Sequence, residues 1–188
     1  MNKKNWCGLL AGLLLVTAVS AEEDLQSKMI NKDTNGSWYI QPDKPKSKHF
    51  KVPELPGGYA FRIKANKGNN PWDVQASSPV AGAINEGDVI MLMYYARAEK
   101  AAEGGSKLTA RIQLAGPPYS SVLDFTTPVD GEWKSHCAFR VANASIAEKQ
   151  SSVSIHLATA EQIIDLGPVL VFNFGKDYDR KKLAFCGG

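Results

Sequence analysis

A central β-strand is encoded by the run Val89-Ile90-Met91-Leu92-Met93-Tyr94-Tyr95-Ala96-Arg97-Ala98. Successive side chains of a strand point to opposite faces of a sheet, and both faces of this run begin apolar. Toward its end one face stays apolar, whereas Tyr95 and Arg97 project from the other face. The run therefore predicts a strand inside a sheet, with polar groups near one end.

Further short runs with apolar or alternating residues occur along the chain, separated by clusters of Gly, Pro, Asn and Asp. They are Tyr59 to Ala65, Trp72 to Ala76, Leu108 to Ala115, Ser121 to Phe125, Trp133 to Val141, Val153 to Ala158 and Val169 to Phe174. One more short strand is predicted around residues 37 to 40. Many short strands with few helical stretches predict an all-β protein folded as a β-sandwich.

Four of these strands have one apolar and one polar face, and the polar faces supply a candidate ligand-binding set. The set is Gln75, Tyr95, Arg97, Arg111, Gln113 and His156. If the strands are neighbours in one sheet, these side chains form a concave surface that suits sugars. Amide and guanidinium groups hydrogen-bond to hydroxyls, and an aromatic ring packs on the C–H face of a pyranose. The competing interpretation is an ordinary solvated face, but these strand stretches carry no Lys or Glu there.

The same alternation predicts which substitutions affect binding and which affect the core. Alanine at Arg97 or Gln113 is predicted to lower affinity without unfolding the domain. Trp72 alternates with Val74 and Ala76, so it is predicted to point into the core. Tyr119 lies in a loop, where its ring either covers a bound sugar or packs on the neighbouring prolines.

The N-terminus is typical of a bacterial signal peptide. Lys3 and Lys4 precede a short apolar core, and Val19-Ser20-Ala21 supplies small residues before a cluster of acids, so cleavage is predicted after Ala21. The chain is then divided into a signal peptide (1–21), a polar segment partly packed on the sandwich (22–58), the sandwich (59–176) and a tail (177–188). Secretion or export to the periplasm, without a membrane anchor, is expected.

Charge and cysteines limit the possible partners and cofactors. The net charge of +3 falls by two when Lys3 and Lys4 are removed, leaving +1, so nucleic acid is not an expected ligand. In the exported protein, Cys137 and Cys186 either pair, which ties the tail to a strand, or remain free thiols. No His or Cys cluster has the spacing of a metal site, and no cofactor is predicted.

Six short motifs follow one another along the chain. They are Asn70-Pro71-Trp72-Asp73-Val74-Gln75, Gly87-Asp88-Val89, Tyr94-Tyr95-Ala96-Arg97-Ala98, Ala110-Arg111-Ile112-Gln113-Leu114, His156-Leu157-Ala158-Thr159-Ala160 and Ile164-Asp165-Leu166-Gly167-Pro168-Val169. In this order they resemble carbohydrate-binding modules of the family 4/9/22 type. The last two look most like the module inserted in some bacterial family 10 xylanases. The resemblance implies a β-sandwich jelly roll whose concave sheet binds xylan or β-glucan, with the six candidate residues on strands that face the groove.

The same resemblance leaves a structural calcium ion open, because such modules often carry one near the chain ends. The acids that are available for it do not form a recognisable loop motif. These acids are Glu22, Glu23, Asp24, Asp165 and Asp177.

Catalysis is not expected. A glycosidase needs two carboxylates across a cleft, and most acids here lie in turns, as in Glu86-Gly87-Asp88. There is also no Gly-x-Ser-x-Gly motif of a serine hydrolase. The function predicted from sequence is therefore non-catalytic polysaccharide binding, alone or beside a glycoside hydrolase partner. The alternative is a structural or assembly protein of the cell envelope that contacts another envelope protein.

Overall fold

The computed structural model describes residues 25–31, 38–42 and 47–186. These residues form ten strands: β1 (Tyr39–Gln41), β2 (Ser47–Lys51), β3 (Tyr59–Ala65), β4 (Gln75–Val80), β5 (Val89–Lys100), β6 (Ser106–Leu114), β7 (Ser121–Val129), β8 (Lys134–Val141), β9 (Ser151–His156) and β10 (Gln162–Asn173). Short 3-10 turns occur at Pro56–Gly58, Pro71–Asp73 and Arg180–Leu183. The predicted signal peptide lies outside the described residues.

The strands form two five-stranded sheets, which pack face to face. The first sheet has the order β1-β4-β9-β6-β7, and the second has the order β2-β3-β10-β5-β8. Every pairing within them is antiparallel. The predicted all-β sandwich is therefore confirmed. Within the described ranges, no helix is both long and apolar enough to cross a membrane.

The central strand predicted from the run at residues 89–98 is β5. It has hydrogen-bonded neighbours on both sides, β10 and β8. Ile90, Leu92 and Tyr94 are buried in the main core between the two sheets. The opposite face of the strand begins with Val89 and Met91, which belong to a separate apolar cluster on the outside of the sheet. One apolar face of the run is therefore buried against the first sheet, and the other is buried in the outer cluster.

Two chain segments cover the outer face of the second sheet, one near each end of β5. Leu183 and Cys186, in the C-terminal segment, pack with Met91 and Phe172. Cys186 is bonded to Cys137 of β8, so the two cysteines left open by the sequence form a disulfide. At the other end Val52, Leu55 and Ala60 form a third cluster, with Tyr95 and Trp133 packed against it. The described residues form no comparable cluster on the outer face of the first sheet.

The segment before β3 is tied to the sandwich by side chains as well as by strands β1 and β2. Asn31 is buried, donates to the carbonyl of Val169 at 2.8 Å and accepts from the amide of Val171 at 2.6 Å. The indole N–H of Trp38, also buried, donates to the carbonyl of Gly167 at 2.8 Å. Both residues thus satisfy backbone groups of β10, at the place where its pairing with β5 shifts register.

Candidate functional site

Four of the six predicted ligand-binding residues lie together on the first sheet. The strands β4, β9 and β6 are consecutive neighbours, and Gln75, His156 and Thr109 form one row across them. Arg111 lies two residues from Thr109 on the same strand, and Gln113 two residues further. Because alternate residues of a strand share a face, these side chains project on one side of the sheet.

The side-chain amides of two glutamines on this face differ in their hydrogen bonds. The amide oxygen of Gln75 accepts from the hydroxyl of Ser154 at 2.6 Å, and its nitrogen donates to Gln41 at 2.7 Å. Gln113 is only 6% exposed, yet its side-chain oxygen has no hydrogen-bond partner among the described residues. An unpaired buried acceptor costs free energy, so Gln113 Oε1 is poised for a donor from outside the chain.

A cleft of about 430 Å³ opens above these side chains. Its lining consists of Trp72, Gln75, Arg111, Gln113, Pro118, Tyr119 and His156. Trp72 is 53% exposed and Tyr119 is 48% exposed, although both are large apolar side chains. Two accessible rings therefore border a floor of polar groups.

Trp72 was predicted to be a core residue, and this prediction is wrong. The run from Trp72 to Ala76 does not begin as a strand: Pro71–Asp73 is a 3-10 turn, and β4 starts only at Gln75. Asp73 closes the turn by accepting hydrogen bonds from the backbone amides of Asn69 and Asn70, at 2.8 and 3.0 Å. Strand alternation does not apply in such a turn, so the ring faces outward.

The turn that carries Trp72 is anchored to the strand end next to the cleft. The backbone amide of Ala158 donates to the carbonyl of Pro71 at 3.0 Å, and the amide of Leu157 donates to that of Val74 at 2.8 Å. The Trp72 ring lies 5.9 Å from the ring of His156 in an edge-to-face arrangement. Trp72 is thus held beside the polar row.

Tyr119 approaches the cleft from the loop between β6 and β7. Its backbone amide donates to the carbonyl of Gly116 at 2.9 Å, and its φ of 57° lies in the left-handed region that non-glycine residues seldom adopt. The loop therefore presents the ring at the border of the cleft. The ring is therefore exposed rather than buried on the prolines, and whether it covers a sugar stays a prediction.

The cleft has a fixed positive charge and a neutral imidazole. Arg111 supplies the charge, and no carboxylate is among the lining residues that the structure describes. Burial, and secondly the charge of Arg111, lower the pKa of His156 to about 4. His156 is therefore neutral at neutral pH and acts as a hydrogen-bonding group.

The neutral state of His156 makes the stability of the fold depend on pH. An unfolded histidine titrates at the ordinary pKa of about 6.5, whereas the folded value is about 4. Between these values the unfolded chain binds more protons, so the free energy of unfolding is expected to fall as the pH drops from 6.5 to 4. Urea denaturation at several pH values should show this fall, and His156→Gln should make it shallower. The pKa of His136 is also lowered by burial, so part of the slope remains in that variant.

The placement of Tyr95 and Arg97 with the other four residues is wrong. Both lie on β5, which belongs to the second sheet. Tyr95 packs on the cluster of Val52, Leu55 and Ala60. The guanidinium of Arg97 bonds the fully buried Asp165 at 2.8 Å, so its first role is structural. Alternation assigned the correct face of each strand but could not tell which strands share a sheet.

Of the acids considered for calcium, Glu22, Glu23 and Asp24 lie outside the described residues. Two of the acids that the structure does describe, Asp165 and Asp88, have other partners. The Asp165 carboxylate is bound by Arg62 as well as by Arg97, each at 2.8 Å. The buried Asp88 accepts from the backbone amide of Asn85 and from the side chain of Asn173, both at 2.8 Å. Over the described ranges, no three His, Cys, Asp or Glu side chains are grouped so as to hold a metal.

Solved structures of other proteins share the fold of this chain. No family model matches the chain, and no curated protein matches it. A solved structure of a family 4 carbohydrate-binding module is 16% identical, with 72% of this chain and 94% of that chain covered and a TM-score of 0.54. A second solved structure contains the family 22 and catalytic modules of Clostridium thermocellum xylanase 10B, complexed with xylohexaose. It is 13% identical, with 81% of this chain and 30% of that chain covered and a TM-score of 0.56.

Enzymes are among the similar structures as well. An arabinose-bound family 51 arabinofuranosidase is 12% identical, with 79% of this chain and 26% of that chain covered and a TM-score of 0.54. This chain thus spans under a third of the two enzymes but nearly all of the family 4 module. At such identities the likeness concerns the fold. The chain is a β-sandwich jelly roll with the architecture of carbohydrate-binding modules of families 4 and 22.

Proposed function

We propose that this protein binds a plant cell-wall type polysaccharide, of the xylan or β-glucan class, in the cleft on the first sheet and does not cleave it. One observation carries the proposal: two exposed aromatic rings border a floor with a buried hydrogen-bond acceptor, Gln113 Oε1, that has no partner in the described part of the chain. The fold is the one seen in carbohydrate-binding modules, and that likeness supports the same conclusion.

The two kinds of group in the cleft match the two kinds of surface on a sugar. A pyranose has an apolar C–H face, which packs on an aromatic ring such as Trp72 or Tyr119. Its hydroxyls both donate and accept, so they suit Gln113 Oε1 as well as the donors of Arg111. Large exposed rings beside polar groups are otherwise unfavourable in water, which is why a ligand is the simplest explanation for them.

The absence of cleavage is proposed from the composition of the cleft. Hydrolysis of a glycosidic bond ordinarily needs two carboxyl groups that face each other across the sugar. The described lining contains Arg111 and His156 as its only titratable groups apart from the Tyr119 hydroxyl. Neither the guanidinium nor a neutral imidazole replaces such a pair.

The compartment follows in part from the disulfide. A bond between Cys137 and Cys186 indicates that the protein matures in an oxidising environment outside the cytosol. Together with the predicted signal peptide, it supports secretion or export to the periplasm. Polysaccharide ligands, or a glycoside hydrolase acting on them, are accessible there.

A second candidate function is assembly of the cell envelope through contact with another protein. The specific observation in its favour is Tyr39, whose ring is 65% exposed on the edge strand β1 and does not line the cleft. Edge strands with exposed apolar groups are common sites of protein association.

Affinity electrophoresis against xylan, mixed-linkage β-glucan and pectin separates the two functions. Polysaccharide binding predicts that at least one polymer slows the native protein in the gel, while a non-binding protein of similar size is unaffected. If none of the polymers slows the folded protein, the polysaccharide proposal fails and a search for a protein partner takes its place.

A further inference from the structure

We propose that the cleft selects an acidic sugar: Arg111 binds the carboxylate of a uronic acid unit, while Gln113 accepts a hydrogen bond from one of its hydroxyls. This inference rests on the proposed function and narrows its ligand class to polysaccharides that carry uronic acids. The uronic acid is either a side group on a xylan or a unit of the main chain.

The first reason is the uncompensated charge of Arg111. Arg62 and Arg97 are each paired with Asp165 at 2.8 Å, but Arg111 forms no ion pair with any described carboxylate. Its neighbour across the β6–β7 pairing is the exposed Asp124, whose side chain accepts instead from the hydroxyl of Ser121 at 3.2 Å. A guanidinium in a cleft without a carboxylate in its lining is a site for an anion from outside.

The second, independent reason is the acceptor on Gln113. A bare carboxylate would satisfy Arg111 but has no donor for Gln113 Oε1, which is buried and finds no partner among the residues that the structure describes. A neutral sugar has donors for Gln113 but leaves the charge of Arg111 unmatched. A uronic acid carries a carboxylate and several hydroxyls on a single ring, so it satisfies both residues.

The remaining groups of the cleft are compatible with this ligand. Trp72 and Tyr119 can contact the apolar face of a uronic acid ring as they would that of any pyranose. His156 is neutral above about pH 4, where a sugar carboxylate is ionised, so the charge of the cleft comes from Arg111 alone. His156 therefore adds no positive charge that competes for the carboxylate, and the Asp124 carboxylate opposite Arg111 accepts from Ser121.

Calorimetric titration with matched oligosaccharides tests the inference. One pair is xylotetraose with and without a glucuronic acid side group, and the other is tetragalacturonate and its methyl ester. We expect the acidic member of at least one pair to bind about tenfold or more tightly than its neutral partner, as charge-assisted hydrogen bonds allow. Because the cleft is open to solvent, the difference should shrink at 1 M salt. The pair that responds tells a side-group uronic acid from one in the main chain.

Variants identify the residue responsible. Arg111→Gln should remove the preference for the acidic member, and Arg111→Lys, which keeps the charge but loses the planar fork, should retain part of it. The matched control is Arg140→Gln, which removes one exposed positive charge from β8 on the second sheet and should leave the preference unchanged. Thermal unfolding of each variant confirms that it is folded.

The negative outcomes distinguish the inference from the proposed function. If neutral and acidic members bind equally, or if the preference persists in Arg111→Gln, the acidic-sugar inference is wrong while polysaccharide binding stands. Retardation by neutral polymers with no binding of either acidic probe likewise contradicts the inference alone. If no oligosaccharide binds and no polymer retards the protein, both the inference and the proposed function fail.

Discussion

Asp165→Asn is expected to lower the free energy of unfolding by about 3 kcal/mol. The carboxylate is fully buried and is bonded by Arg62 and Arg97 from the two strands that flank β10. Removing its charge leaves two guanidinium groups facing each other, with only the exposed Glu99 between them. Urea denaturation at pH 7 measures the loss. Since both arginines keep some contact with water, the expected loss is at the lower end of the range for a broken buried pair.

The control is Glu99→Gln, which removes the other acid of the same network. Glu99 is exposed, so the free energy of unfolding should fall by less than about 1 kcal/mol. Equal losses in the two variants would show that burial of Asp165 does not matter. Sugar binding should survive in both variants, because the network lies on the second sheet and the cleft on the first.

This network explains why the sequence assigned Arg97 to the wrong surface. Alternation within β5 correctly puts Arg97 on the face opposite Leu92 and Tyr94. Which strands lie beside β5 depends on pairing with β8 and β10, about 40 and 70 residues away in the chain. Period-2 alternation contains no information about such pairing. The expectation that alanine at Arg97 lowers affinity without affecting the fold therefore loses its basis.

The polar residues that were correctly grouped lie on strands whose alternation is regular. Gln75, Arg111, Gln113 and His156 all fall on β4, β6 or β9, which the structure places side by side. Whether they bind a ligand stays a prediction. The paired sheets themselves were predictable because short alternating runs between turn residues have few other stable arrangements.

The two aromatic residues of the cleft were harder to assign because both lie outside strands. Trp72 follows Asn70-Pro71, and a proline after a capping asparagine, with an acid two residues beyond it, is a turn signal that competes with the alternation of Trp72, Val74 and Ala76. Interpreted as a turn, the same residues would have placed the ring at the surface. Tyr119 carries no such local signal, because its contact with the cleft depends on how the loop folds over β6.

Trp72→Ala is expected to weaken polysaccharide binding by ten- to a hundredfold while changing the stability of the fold little. Covering the exposed half of an indole with a sugar ring removes about 100 Å² of apolar surface from water, at about 25 cal/mol per Å². That corresponds to the stated loss of affinity. In the free protein the ring is 53% exposed and contacts His156 mainly by an edge, so its removal opens no cavity in the core. Titration with the polymer that retards the native protein measures the change.

The matched control is Phe185→Ala, which removes another exposed aromatic ring, 65% accessible, from the C-terminal segment that covers the second sheet. If exposed rings bind polysaccharides nonspecifically, both variants lose affinity to the same extent. If the cleft is the site, only Trp72→Ala does. An unchanged affinity in Trp72→Ala would mean that the sugar binds without contact to Trp72, and that Tyr119 is the aromatic ring left to test. Because neither ring belongs to the main core, a difference between the variants reports on binding rather than on folding.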